Sequence, residues 1–164
     1  MFGPPVDLSF QELESVSGVL LKEPRASLRT LHKNSEGKYL SRALRLNNNR
    51  LCCLSGLQYL INNLLAEPVQ LGWLDVSFNH LTQIEPVLCE LHELRVLYLH
   101  GNNIYILSEV DKLGHLPYLH TITLHGNAIE TTKNYRKHVI STLPHLKKLD
   151  YSLVTDEERT LSNI

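Results

Sequence analysis

Aliphatic residues recur along the chain in the order L-x-x-L-x-L-x-x-N-x-L, four times and then in a degenerate fifth copy. The copies open at Ser41, Leu71, Leu94, Leu119 and Leu146, so successive openings are 30, 23, 25 and 27 residues apart. The first copy opens on serine instead of leucine, and the fifth has Val154 where the asparagine is expected. Such self-similarity indicates a repeat architecture whose terminal units differ from the inner ones.

The L-x-L centre of each copy alternates between inward apolar residues and others, which predicts a short strand. One strand with its return segment cannot bury its apolar side, so neighbouring copies must stack into a parallel sheet. The predicted fold class is therefore α/β, a solenoid with a curved parallel sheet on its concave side and helices or 3-10 turns on its convex side. The repeated asparagines should bond unpaired backbone groups at the turns, as an internal ladder of Asn49, Asn79, Asn102 and Asn127.

The longer units leave room for helices on the convex side. In the first unit, Ser55 is predicted to cap a helix whose apolar residues recur at helical spacing from Leu57 to Leu65. In the fourth unit, the apolar residues between Tyr135 and Leu143 predict a second helix. The two shorter middle units should return through a single turn of helix or 3-10 helix.

Both ends of the chain carry the S/T-x-x-E pattern of a helical capping box. Ser9 and Glu12 predict a helical cap at the N-terminus, and Thr155 and Glu158 predict a short cap helix at the C-terminus. Caps are expected because an open solenoid end would expose apolar surface and a sheet edge. We expect a single domain over residues 1–164, with the N-terminal cap and lead-in over 1–38, four repeats over 41–145, and the degenerate fifth repeat and cap over 146–164.

Composition narrows the classes of function. The 164 residues are 43% hydrophobic and 20% charged, within the range of ordinary globular domains. A formal net charge of −1 offers no long-range attraction for nucleic acid, which is therefore not a predicted partner. No apolar run is long enough to cross a bilayer, and residues 1–10 lack the features of a signal peptide. Three cysteines without a framework favour a reducing, intracellular compartment, and Cys52 and Cys53 are predicted to be partly buried spacers.

Residues between and beside the inward leucines should face the open concave side of the sheet, where a partner can lie. Aligning the copies gives three rows across the sheet: Ala43, Trp73, Val96, Thr121 and Lys148; Arg45, Asp75, Tyr98, Thr123 and Asp150; and Asn47, Ser77, His100, His125 and Ser152. The predicted partner-binding residues are Arg45, Trp73, Asp75, Tyr98, His100, Thr123 and His125. Five strands at ~4.8 Å give a face about 20 Å across, which suits a helix or a small domain.

Trp73 is the only tryptophan and the leading contact residue. Buried tryptophan and tyrosine anchors commonly contribute about 2 kcal/mol or more each to an interface, and Tyr98 should lie diagonal to Trp73. The alternative is that Trp73 packs under the N-terminal segment or the first-unit insertion, since tryptophan is usually largely buried. Phe78, at the exit of its strand, is predicted to fill the core.

No residue pattern points to catalysis, a cofactor or a metal. His100 and His125 occupy the same position on neighbouring strands, but a zinc site needs three or four ligands and only His120 accompanies them. The two histidines are therefore expected to be a solvated recognition pair. Arg45 and Asp75 share a row, where they either pair weakly at the surface or set the register of a partner.

Two sets of residues resemble a known family. The segments from Tyr135 to Ile140 and from Leu143 to Asp150 resemble the cap motif that ends the intracellular subclass of leucine-rich repeats. Over Pro4 to about Thr160, the chain is similar to one small group of that subclass, in the segments 4–10, 23–25, 46–49, 73–79, 96–102 and 123–127. The resemblance implies a right-handed leucine-rich-repeat solenoid, no enzyme activity, and a cytoplasmic setting with a cilium or axoneme as one candidate.

These observations together predict a non-catalytic interaction module or scaffold subunit that binds another protein on its concave face. A single copy within a hetero-complex is expected, with no cofactor, no nucleic acid and no membrane insertion. The subclass also includes regulatory and light-chain subunits, so the resemblance leaves open an alternative: a regulatory subunit that modulates a phosphatase or a motor enzyme.

Overall fold

The computed structural model describes residues 2–26 and 28–163, so Met1, Ser27 and Ile164 of the predicted domain lie outside the described residues. Its strands form one curved sheet in chain order. The strands are β1 (Val6–Asp7), β2 (Ala43–Arg45), β3 (Trp73–Asp75), β4 (Val96–Tyr98), β5 (Thr121–Thr123), β6 (Lys148–Leu149) and β7 (Ser152–Leu153). Pairing is parallel from β1 to β6, and β7 returns antiparallel to β6. The predicted α/β solenoid with a parallel sheet is confirmed.

The register of the sheet is the one that the repeat alignment predicts. Trp73 pairs with Ala43 on one side and with Val96 on the other. Asp75 likewise pairs with Arg45 and Tyr98. The intervening residue of every copy is leucine or isoleucine, and it points inward, where it is fully buried. Because side chains alternate along a strand, burying the leucines turns the residues between them to the concave side.

Helices return the chain along the convex side of the sheet. The α-helices are α1 (Leu57–Leu64), α2 (Pro86–Cys89), α3 (Tyr135–Thr142) and α4 (Asp156–Ser162), and the 3-10 helices are Val16–Leu21, Pro68–Gln70, Leu107–His115 and Ala128–Thr131. The two long predicted helices are present as α1 and α3. Ser55 does not cap α1, because Gly56 occupies the cap position in a left-handed conformation with no side-chain hydrogen bond. One middle unit returns through the single turn α2, and the other through nine residues of 3-10 helix.

The asparagine ladder lies inside the solenoid. The Asn79 amide nitrogen donates to the Leu46 and Val76 carbonyls, and its Oδ1 accepts from the Leu51 amide at 3.0 Å. The equivalent asparagines Asn49, Asn102 and Asn127 make the same kind of bridge and are likewise buried. Each asparagine therefore ties its own strand to the preceding unit.

The predicted N-terminal capping box is wrong. Ser9 does not begin a helix, since both its amide and its hydroxyl donate to Oδ1 of Asp7, at 3.0 and 2.5 Å. Glu12 is exposed and has a left-handed φ of 58°. Residues 6–7 instead add strand β1 to the sheet, and the helical part of the cap starts only with the 3-10 helix Val16–Leu21. The N-terminal cap is thus an extra strand followed by a short 3-10 helix.

The predicted C-terminal cap helix is present as α4. The Thr155 hydroxyl accepts from the Glu158 amide at 3.0 Å, which is the N-cap bond that the pattern predicts. The chain reaches α4 by reversing at Asp150 and Tyr151, whose φ angles of 54° and 66° are both left-handed. Ser152 therefore lies in the returning strand β7 opposite Leu149, and it does not continue the row of His100 and His125 as the alignment had predicted.

Candidate protein-binding surface

The concave face of the sheet carries a cluster of ring side chains. We call this cluster the aromatic surface, and it consists of Trp73, Phe78, Tyr98, His100, His125 and Tyr151. Trp73 and Tyr98 lie on strands β3 and β4, and the other members lie on the turns that follow β3, β4, β5 and β6. Helices cover the other side of the sheet, so the rings of this cluster meet solvent on the concave side.

The rings of the aromatic surface contact one another mainly edge to face. Trp73 meets Tyr98 with ring centroids 5.4 Å apart and planes at 81°. Tyr98 in turn meets Tyr151 at 5.7 Å and His100 at 5.9 Å. Edge-to-face pairs are favourable because the positive edge of one ring meets the negative face of another. The contacts hold the rings in one connected, preorganised patch, and the diagonal contact expected between Trp73 and Tyr98 is present.

His100 and His125 stack face to face at the centre of this patch. Their centroids are 4.7 Å apart and their planes differ by 6°. His100 is only 8% exposed, so the expectation of a solvated pair fails for this residue. Burial, followed by the nearby His125, lowers the pKa of His100 below its usual value. The lowered pKa favours the neutral form of the His100 side chain in this stack.

Thr123 supports the histidine stack from beneath. Its hydroxyl lies 2.7 Å from Nδ1 of His100, and the residue has no exposed surface. Although the alignment places Thr123 among the partner-binding residues, the folded chain leaves it nothing to present to a partner. Thr123 therefore supports the concave face from beneath, and it lies in the same row of the sheet as Asp75 and Tyr98.

Asp75 lies on the floor of the concave face and is only 6% exposed. Its Oδ1 accepts from the amide and the hydroxyl of Ser77, at 2.9 and 2.6 Å. Arg45, its neighbour across the sheet, donates from Nε to Asn47 at 3.3 Å. Within residues 2–26 and 28–163, Arg45 forms no salt bridge with Asp75, so the predicted surface pair between them is absent. Burial and the Asp75 carboxylate both raise the pKa of Tyr98.

A cavity of about 530 Å³ opens on this face. It is lined by the rings of Trp73, Phe78, Tyr98, His100 and Tyr151, by Phe10 and Pro5 of the N-terminal cap, and by polar residues that include Arg45 and Asp75. Beside it, Trp73 also borders a smaller apolar hollow against Phe2, Gly3 and Pro5. Trp73 is half-buried: it abuts the N-terminal segment, as the alternative interpretation held, while still facing the larger cavity.

Phe78 does not fill the core, and the prediction for it is wrong. It is 52% exposed, and its ring lies 5.1 Å from that of His100. The reason is its backbone: Phe78 has a φ of 53°, and the equivalent positions in the other repeats are Asn48, Gly101 and Gly126, all with positive φ. A Cβ on Gly101 would lie 2.5 Å from the Phe78 ring, so glycine there makes room for it. The Asn-Phe-Gly-Gly column was the sequence signal for this turn.

Tyr151 is the second residue of the surface that the alignment missed. It stands at the inward apolar position of the fifth copy, two residues after Leu149, where burial is expected, yet it is 58% exposed and contacts Tyr98, His100 and His125. The reversal of the chain at Asp150 places it there. The Asp150 carboxylate itself accepts from the Leu124 and His125 amides and from the Tyr135 hydroxyl, so it closes the sheet instead of facing a partner.

Other groups that could carry chemistry lie apart from this surface. His120 bonds Thr121 and borders a separate cleft with Arg95 and Lys147. Across residues 2–26 and 28–163, no cluster of three or more histidine, cysteine, aspartate or glutamate side chains could hold a metal ion. Cys52 and Cys53 are exposed, which corrects the prediction that they are partly buried.

In the part of the chain that the structure describes, none of the helices combines the length and the apolar character that a membrane span requires.

Comparison with known proteins gives both sequence and structural matches. Residues 67–163 match the family described as Leucine-rich repeat. Leucine-rich repeat-containing protein 51 of Bos taurus is 45% identical over 161 residues, or 98% of this chain and 84% of that protein. Cilia- and flagella-associated protein 410 of Mus musculus is 35% identical over 122 residues, or 73% of this chain and 49% of that protein. Among solved structures, a chain of the Drosophila melanogaster SNF/U2A′ complex superposes with a TM-score of 0.69 at 23% identity, covering 97% of this chain and 79% of that one. This structural likeness shows the fold alone.

Proposed function

Because this chain belongs to the leucine-rich-repeat family, whose members are protein-interaction modules, we propose that it is a non-catalytic subunit that binds another protein on its concave face. The aromatic surface is the binding site in this proposal, and Trp73, Tyr98 and Tyr151 are its anchors. The single observation that carries it is the cluster of connected rings left open on the concave side.

Large exposed rings are unusual on a surface that needs no partner. Monomeric proteins rarely leave contiguous apolar patches exposed, and such patches commonly mark interaction sites. Tryptophan and tyrosine are also the residues that most often dominate binding energy at interfaces. Arg45 and His125 border the rings with polar groups, as the rim of an interface requires. A helix or a small domain of the partner fits the concave curvature.

We propose that the protein acts in a cytoplasmic complex, and the cilium or axoneme is the cellular location to test first. The support is the similarity to Cilia- and flagella-associated protein 410, which covers 73% of this chain but only 49% of that relative. One copy per complex is proposed, since the aromatic surface is a single site. The buried core runs from Val6 in β1 to Leu149 in β6, and the cap helix α4 packs against α3, which supports a single binding unit that includes both caps.

The test replaces Trp73 with alanine and measures capture of proteins from an extract of ciliated cells. We expect Trp73→Ala to abolish capture of a defined partner while lowering the midpoint of thermal unfolding by no more than about 4 °C, or ~1 kcal/mol. The matched control is Tyr59→Ala, because Tyr59 is an aromatic ring that is 65% exposed on the convex helix α1. It should leave capture unchanged.

Two results would contradict the proposal. If Trp73→Ala and Tyr59→Ala reduce capture equally, the concave face is not the site. If Trp73→Ala lowers the unfolding midpoint sharply, the ring belongs to the core, and the loss of capture would reflect unfolding. A Tyr151→Ala variant then separates these cases, since Tyr151 is exposed and outside the hydrophobic core.

A further inference from the structure

The carboxylate of Asp75 has one oxygen without a hydrogen bond. Oδ1 is occupied by the amide and hydroxyl of Ser77, whereas Oδ2 receives no hydrogen bond from any of residues 2–26 and 28–163. Asp75 is only 6% exposed, and it lines the concave cavity. Because Oδ2 is not a buried atom, it is open to this cavity, where a donor or a cation from a partner can meet it; a partner that covered it without such a group would leave a carboxylate oxygen buried and unpaired, which is costly.

Aromatic rings surround this carboxylate. Trp73 and Tyr98, whose planes are nearly perpendicular, form a corner of the cavity, and Tyr151 and Phe78 line it as well. Cations are attracted to the negative faces of such rings, most strongly to those of tryptophan and tyrosine. The chain already shows this chemistry at the rim, where the Arg25 guanidinium lies 5.7 Å from the centroid of the Phe10 ring.

Arg45 carries a positive charge next to Asp75, and this charge would repel a cation that enters the site from a partner. It lies next to Asp75 in the sheet, but Asp7 flanks it on the other side in the same row. Two carboxylates therefore flank one arginine in this row, and the arginine Nε donates to Asn47 instead of to either of them. The row retains a net negative charge at Asp75, on the side of the sheet where the rings lie.

We propose that the cavity receives a positively charged side chain, lysine or arginine, from the partner protein. The proposal rests on the proposed function, since the cation is delivered by whatever docks on the aromatic surface. The charged group meets Oδ2 of Asp75, and its aliphatic stem packs between Trp73, Tyr98 and Tyr151. An acidic side chain would face the Asp75 carboxylate, and a purely aliphatic one would leave Oδ2 unpaired.

The unique tryptophan makes a direct test practical. In a protein labelled with ¹⁵N, the indole N–H of Trp73 gives a single signal that reports on the cavity. The probes are the Nα-acetyl methylamides of lysine, arginine and norleucine, the last being an uncharged analogue of the lysine stem. We expect the Trp73 signal to shift and saturate with the lysine and arginine probes, and to move far less with norleucine. The stronger of the two cationic probes identifies the preferred side chain.

Asp75→Asn is the decisive variant, because asparagine keeps an acceptor for Ser77 while removing the charge. It should weaken binding of the cationic probes about tenfold, the loss expected when a charge-assisted bond to a cation is removed. Asp7→Asn is the matched control, since Asp7 makes the same two hydrogen bonds to Ser9 that Asp75 makes to Ser77. It should change probe binding less than twofold.

Three results would overturn the cation site. They are an equal shift with norleucine, an Asp75→Asn variant that binds the cations as tightly as the parent, and no shift with any probe up to its solubility limit. In each of these cases the proposed function stands if capture of the partner still depends on Trp73. It falls as well if Trp73→Ala captures the partner normally, or if Trp73→Ala and Tyr59→Ala reduce capture equally.

Discussion

The two ends of the solenoid carry the same four-residue pattern, and only one of them uses it to cap a helix. At the C-terminus, the Thr155 hydroxyl accepts from the Glu158 amide, and α4 follows directly. At the N-terminus, Ser9 and Glu12 have the same spacing, but Ser9 lies in a turn and no helix begins there. The comparison shows that a local capping pattern acts only where nothing nearby competes for the same groups.

The competitor at the N-terminus is the asparagine ladder. Oδ1 of Asn49 accepts from the Gln11 and Leu13 amides, at 2.9 and 3.2 Å, which are the backbone groups that a capped helix would have to satisfy. Asp7 takes the Ser9 hydroxyl at the same time. These partners come from the sheet, and they become available only when residues 6–7 pair with β2.

At the C-terminus, hydrogen bonds from neighbouring residues support the capping pattern instead of competing with it. Arg136 of α3 donates to the Glu158 carboxylate, with Nη2 3.0 Å from Oε1. The Arg159 guanidinium donates to the Leu143 and Leu146 carbonyls, at 3.1 and 2.7 Å, near the end of α3. Hydrogen bonds from α3 and α4 therefore favour the same conformation, and the cap helix forms.

The largest expected loss of stability comes from replacing Asn49, the ladder residue that competes with the N-terminal capping pattern. Asn49→Ala removes the acceptor of two backbone amides and the donor to the Leu8 and Leu46 carbonyls, all in a buried region. We expect a loss of about 3 kcal/mol in the free energy of unfolding, since each buried group left unpaired costs about 1–3 kcal/mol. Urea denaturation followed by circular dichroism measures this.

Asn63→Ala is the control for that change, because Asn63 is exposed on α1 and bonds only within its own helix. It should cost less than about 0.5 kcal/mol. A loss at Asn49 no larger than the loss at Asn63 would mean that the ladder does not hold the N-terminal cap.

Replacing the glutamate at the fourth position of each pattern with glycine should have opposite effects on stability at the two ends. Glu12 has a left-handed φ of 58°, so Glu12→Gly relieves backbone strain and should raise stability by about 0.5 kcal/mol after the added freedom of the unfolded chain is subtracted. Glu158→Gly removes a helical residue and an ion pair with Arg136, so it should lower stability by about 1 kcal/mol. Both are read from denaturant midpoints; two losses of equal size would show that Glu12 caps a helix after all.

The smallest effect is a pH dependence confined to the C-terminal end. The hydrogen bond from Arg136 lowers the pKa of Glu158 below its ordinary value of 4.5. The stability that the pair contributes is therefore fully present above pH 4.5 and is lost as the pH falls through the depressed pKa of the folded state. Glu158→Gln should be less stable than the parent at pH 6, and the difference should shrink below pH 4.5. If the difference in the free energy of unfolding between the variant and the parent is as large at pH 3 as at pH 6, the effect comes from packing and not from the charge of Glu158. Glu12→Gln should show no gap at either pH.

For the candidate site, the repeat alignment gave the register of the residues on strands and placed His100 beside His125, but it missed Phe78 and Tyr151, which lie on turns. It brought Trp73, Asp75 and Tyr98 together, because strand register follows directly from the spacing of the leucines. Thr123 follows the same register but is buried, since its neighbour His100 lies over it. The three missed or misplaced residues, Phe78, Tyr151 and Ser152, all lie at or beyond turns with left-handed backbone angles.

The sequence by itself determined the sheet, its register, the asparagine ladder and the face on which the rings would lie. These features depend on periodicity, since a leucine or an asparagine at a fixed spacing meets the same neighbours in every unit. The tertiary structure alone decided the conformation of both ends, the exposure of Phe78, the place of Tyr151 and the free oxygen of Asp75. Each of these depends on one particular contact or backbone angle, such as the hydrogen bond between Asn49 and Leu13 or the reversal at Asp150. A single contact between distant parts of the chain does not repeat along the sequence, so no periodic pattern of residues predicts it.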